Sequence, residues 1–127
     1  MPSSIFARIL VALAASALIV TSATAHHGWS WAEGEQTEMS GTIREVSLAP
    51  PHPSLKVEVD GELWEIDLAN PRQTERSGFG EGSAKPGDEI TILGNRSLDA
   101  SEKLIKAVRI TIGGTRYDLY PERITTD

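Results

Sequence analysis

The sequence contains no cysteine. Disulfides, thiolate metal sites and cysteine nucleophiles are therefore excluded together. Aromatic residues are scarce at 6% of the chain, and histidine occurs only three times. Positive charge is also in deficit: 12 Lys and Arg stand against 18 Asp and Glu, a formal net charge of −6. Such a chain lacks the basic stripe that phosphate backbones require, so nucleic acid is not an expected partner. Long apolar runs are missing too. The uncharged apolar stretch Ile9 to Val20 has 12 residues. As a helix it would cover about 18 Å, well short of a hydrocarbon core of about 30 Å.

That short stretch has a recognisable setting. Met1 to Arg8 precedes it with a single positive charge, and Thr21-Ser22-Ala23-Thr24-Ala25 follows. Small residues then occupy positions −3 and −1 of a cut before His26, completing the three parts of a secretory signal peptide. With no cysteine after the cut, lipid attachment there is excluded, and no stable membrane anchor is expected after cleavage. A bacterial periplasm is the expected destination, with release outside the cell as the other. Loss of residues 1–25 removes Arg8 alone among the charges, leaving 102 residues with 11 basic against 18 acidic side chains, net −7. A chain of about 100 residues is long enough for one small core.

The remaining pattern is that of short strands. Ile43, Val46 and Leu48 are the apolar positions of Met39 to Leu48. Their phase slips between Ile43 and Val46, which predicts a bulged, curved strand. Ala49-Pro50-Pro51-His52-Pro53 cannot pair centrally and reads as a stiff extended loop. Leu55, Val57 and Val59 alternate with Lys56, Glu58 and Asp60, and Asp60-Gly61 is a tight hairpin signal. Trp64, Ile66 and Leu68 alternate with Glu65 and Asp67 on the return strand, which reads the two acids as solvent-facing.

Asn70-Pro71 predicts a helix start, with Gln73 at N3 completing a capping-box variant and Gly78 the stop. Lys85-Pro86-Gly87-Asp88 turns into a strand marked by Ile90, Ile92 and Gly94. Lys103 to Ile112 is the last long strand, Gly113-Gly114 a second hairpin, and Tyr117 to Tyr120 an extra short strand. Three meandering strands, a short helix and two more strands define the expected fold. It is all-β with one short helix, a small five-stranded OB-like antiparallel barrel, with a small β-sandwich as the alternative. The organisation is a signal peptide over 1–25, an N-terminal segment over 26–38, one barrel domain over 39–120 and a tail over 121–127. Thr125 to Asp127 are expected to fray.

Several strings occur in a set order: His26-His27-Gly28, Ser40-Gly41-Thr42-Ile43, Pro51-His52, Trp64-Glu65-Ile66-Asp67-Leu68-Ala69-Asn70-Pro71, and Lys85-Pro86-Gly87-Asp88 before Glu89-Ile90-Thr91-Ile92-Leu93-Gly94. Together they resemble a family of small exported bacterial proteins, the domain-of-unknown-function family 6152. The resemblance covers nearly all of the chain after the signal peptide. It implies an exported single β-barrel whose recurring polar feature is its histidines, and it carries no activity. Members usually have Asn-Pro-His before the second strand. Here Pro50 replaces that Asn, so no role of its amide carries over.

The three histidines are the distinctive chemistry. Cleavage after Ala25 would make His26 the N-terminal residue, whose free amine and imidazole Nδ1 can close one chelate ring. An α-amine with an ordinary pKa of about 7.7–8.0 yields its proton to a borderline metal near neutral pH. A further imidazole from His27 or His52 would complete a three-nitrogen histidine brace. Nitrogen-only ligation favours Cu(II), Ni(II) or Zn(II), and the Irving–Williams order puts Cu(II) first. Against this, a terminal His-His is often simply disordered and a His between prolines simply exposed. Glu33, Glu35 and Glu38 read as a solvated acidic segment.

Trp29, Trp31 and Trp64 read as plugs for an open barrel end rather than a stacking platform. If Trp29 and Trp31 share a face, their segment could dock along the barrel. No Ser-His-acid set assembles from so few histidines, and Gly78-Phe79-Gly80-Glu81-Gly82 follows a helix instead of opening one, unlike a phosphate loop. No catalytic residue is expected. The expectation is thus a non-enzymatic exported binding protein, its metal ligands His26, His27 and His52 and its ion copper. The alternative is an accessory protein that docks on an exported partner and binds no metal.

Overall fold

The computed structural model describes residues 28–125. The chain divides into two compact units at Ser30/Trp31, and the barrel belongs to the second, Trp31–Asp127. Its strands are β1 (Thr37–Ser47), β2 (Ser54–Val59), β3 (Glu62–Asp67), β4 (Glu89–Arg96), β5 (Leu104–Ile112) and β6 (Thr115–Asp118). A six-residue helix, α1 (Pro71–Arg76), lies between β3 and β4, and a 3-10 turn (Pro121–Arg123) follows β6. The sheet order is β3-β2-β1-β4-β5-β6, and pairing of β3 with β5 closes five strands into a barrel. Among the described residues only that closing pair is parallel. This is the small OB-like barrel expected from the strand and helix order.

Closure demands that β1 serve two neighbours. Its first half pairs with β4 from Thr37 to Thr42, its second with β2 from Thr42 to Ser47, and the register slips between Ile43 and Glu45. The phase slip in the sequence lies at that bulge, where an extra residue bends the strand. Gly41 stands at the changeover. A Cβ there would overlap the Glu58 carbonyl oxygen and press on Val57 and Val59. A second bulge, at Leu93/Gly94, bends β4 over β5, and a Cβ on Gly94 would overlap the Lys106 carbonyl oxygen.

The alternating apolar positions fill the interior. Ile43, Leu55, Val57, Ile66, Ile92 and Ile110 are among its fully buried residues. Each such side chain contributes about 1.5–3 kcal/mol by leaving water. The hairpins form as their residues require. Asp60 and Gly61 both take positive φ, at 50° and 79°, as do Gly113 and Gly114. Two consecutive left-handed residues make the turn whose twist suits paired strands.

Helix α1 starts where expected, with Asn70 Oδ1 accepting the Gln73 N–H at 2.8 Å and Pro71 in the first turn. Gln73 does not close a capping box. Its side-chain amide donates to the Leu119 carbonyl at 2.8 Å, because the C-terminal segment packs on the helix. Phe79, 1% exposed, meets Tyr117 edge-on at 5.4 Å. Of the tail expected to fray, Thr126 and Asp127 lie outside the described residues, while Thr125 is hydrogen-bonded. Its N–H and hydroxyl both donate to Gln36 Oε1, while the Gln36 amide donates to the Arg123 carbonyl. The barrel begins at Thr37 rather than Met39. Ahead of it, Trp31–Glu33 lies against the end of β4: Ala32 bridges Ser97, Glu33 N–H donates to the Arg96 carbonyl, and Leu98 N–H donates to that of Trp31.

Candidate functional site

Of the expected metal ligands, only His52 falls among the described residues; His26 and His27 lie outside them. His52 occupies the loop from Leu48 to Pro53, between β1 and β2. Pro53 anchors that loop through its carbonyl, which accepts the Leu68 N–H at 3.0 Å. His52 is half-buried, and its Nδ1 is fully buried without a hydrogen-bond partner among the described residues. An orphaned ring nitrogen is costly in a structural histidine. Among the described residues no group of three or more His, Cys, Asp or Glu is placed to hold a metal. Trp31 is buried, and its carbonyl accepts the Leu98 N–H at 2.9 Å, just past the end of β4.

The opposite end of the barrel from His52 carries a second convergence of side chains. The Asp60-Gly61 hairpin, the start of β1, the end of β4 and the start of β5 meet there. Between them lies a cleft of about 250 Å³, lined by Glu38, Met39, Asp60, Trp64, Arg96 and Lys103 together with Thr37, Val59 and Glu62. Trp64 is in phase with buried Ile66 and borders this cleft. At the end of the row it stays half-buried and packs on the core. The Arg96 guanidinium carbon lies 5.7 Å from its ring centroid and Lys103 Nζ 5.4 Å from it. Both are within cation–π range. Lys103 also pairs with Glu62 at 3.0 Å. Arg96 and Lys103 had no signal in the sequence, because each acquires its role only when β4 and β5 arrive beside β3.

In a third cluster the expected solvent-facing pair divides: Glu65 is exposed, as expected, whereas Asp67 is 7% exposed. Asp67 of β3 registers against Lys106 of β5 at the closing seam, and Tyr120 and Arg123 of the C-terminal segment lie close enough to act on these two charges. Lys106 Nζ lies 5.8 Å from the Tyr120 ring centroid. Burial holds the Lys106 ammonium below the ordinary lysine range; Asp67 opposes that shift and Arg123 adds to it. Burial likewise raises the Tyr120 phenol, Arg123 opposing and Glu122 and Asp67 adding. The seam is thus a compensated set of charges.

Topology, helix position and the parallel closing pair define the class: a small OB-type barrel. Within that class, the chain belongs to the family of unknown function DUF6152, whose match covers residues 13–105. Among solved structures it resembles a chain in the crystal structure of the S. pombe Stn1–Ten1 complex, at 15% identity and a TM-score of 0.50, covering 61% of this chain and 57% of that one. It also resembles the crystal structure of a ZRD-deleted mutant of TiaS in complex with agmatine, at 12% identity and a TM-score of 0.51, covering 67% of this chain and 26% of that one. The chain therefore spans little more than half of the first and about a quarter of the second. At these identities the likeness is one of fold. No curated protein matches the sequence.

Proposed function

We propose that this protein is an exported, non-enzymatic binding protein of the periplasm that holds a transition metal, Cu(II) first, through His26, His27 and His52. The observation that carries the reading is His52. Its imidazole is held by a proline-flanked loop, and its buried Nδ1 has no hydrogen-bond partner among the described residues. A stiff loop presents a ligand at low ordering cost. The leader pattern before His26 supports export and a free terminal amine, and an all-nitrogen donor set supports copper.

The test is a Cu(II) titration of metal-free processed protein, compared with a form carrying one extra residue before His26 and with His52→Ala. Tight binding that is lost in the extended form is expected for a terminal chelate, and weakening in His52→Ala places the loop imidazole in the same set. Equal affinity in the extended and native forms would defeat the brace. The accessory reading, docking on an exported partner without metal, would then take its place.

A further inference from the structure

The mouth of the barrel uses none of the histidines and stands apart from the copper reading. Its charges are unevenly satisfied. Lys103 is committed to Glu62. Arg96 has no carboxylate in ion-pair range among the described residues, although it is half-buried in a chain with an acidic excess. Glu38 and Asp60, which line the same cleft, have no side-chain hydrogen bond or ion pair among those residues either. Among the described residues, a guanidinium and two carboxylates without an ion pair thus line a cleft with Trp64, Met39 and Val59.

That combination selects its occupant. A polyphosphate or nucleic acid meets three acids on the rim, Glu38, Asp60 and Glu62. A purely cationic ligand meets two positive groups already over the Trp64 ring. A neutral apolar molecule would leave these charges unanswered. A small zwitterion satisfies all of them, since a guanidinium fork matches a carboxylate and a carboxylate pair matches an ammonium. The cleft, about 250 Å³, falls below the ~300–1,000 Å³ of drug-sized sites, and part of its lining is apolar. We infer that the barrel mouth binds a free α-amino acid with an apolar side chain, its carboxylate on Arg96, its ammonium between Glu38 and Asp60, and its side chain against Trp64, Met39 and Val59. A plain structural plug is the competing account, in which Arg96 merely shields the indole.

The experiment is an NMR titration of the ¹⁵N-labelled protein, following the Trp64 indole and the Asp60-Gly61 amides. The probes are L-leucine, L-leucinamide, which lacks the carboxylate, and 4-methylpentanoate, which lacks the ammonium. Saturable shifts with leucine are expected, with affinity lower by at least about tenfold for either analogue and for Arg96→Gln. Glu38→Gln, at an exposed position, keeps the test decisive should Arg96→Gln fail to fold, and it too is expected to weaken leucine. No saturable shift up to about 10 mM leucine, or equal binding of leucine and leucinamide, would overturn the site. The copper titration is unaffected by either outcome, so the two readings fail separately.

Discussion

Asn70 and Asp67 lie three positions apart and mark the two extremes of what single residues disclose. The Asn70 cap is local: the side chain reaches Gln73 N–H within one turn, so Asn-Pro alone announces it. Asn70→Ala is expected to cost about 1 kcal/mol and to lower the melting temperature by about 4–8 °C, as read by calorimetry. Asp67 was opaque because strand alternation assigns a residue to a face without saying whether a segment remote in sequence will bury it. Gln73 was opaque for the same reason. Its neighbours in sequence suggested a reciprocal cap, whereas Leu119, far along the chain, takes its amide.

At the level of strands and turns, the positions that need positive φ were readable and those that need a missing side chain were not. Asp60-Gly61 and Gly113-Gly114 are dictated by backbone sterics within two residues. Gly41 is dictated by β2 crossing it, and no local pattern reveals that crossing. Gly41→Ala forces a methyl group into the Glu58 carbonyl. A loss of about 1–3 kcal/mol or more is expected in urea unfolding. Gly80→Ala is the control. Its added Cβ meets nothing within 4 Å, so a change below about 1 kcal/mol is expected.

Across the whole molecule, the barrel was legible because strand, hairpin and helix signals came in an order that few architectures accommodate. The mouth was only half legible: Trp64 was singled out from composition, whereas Arg96 and Lys103 reach it through pairings remote in sequence. The residue just ahead of β1 is also tied to the C-terminal segment, Gln36 holding Arg123 and Thr125. In Gln36→Ala, amide exchange at Thr125 is expected to accelerate by at least about tenfold while the melting temperature falls by no more than about 4 °C. A larger thermal loss would mean that this tie supports the barrel itself.

The parallel seam has a kinetic consequence. Glu65 and Leu104, its first registered pair, are 39 positions apart, whereas β2–β3 and β5–β6 turn back on themselves within two residues. Loop-closure entropy delays distant pairings relative to hairpins. The β1–β4 pairing, whose partners are 47 to 57 positions apart, and the seam therefore both form after the hairpins, the seam zipping along Glu65–Asp67. Trp64 borders that zipper, so partial unzipping would widen the mouth while the β1–β2–β3 meander stays folded.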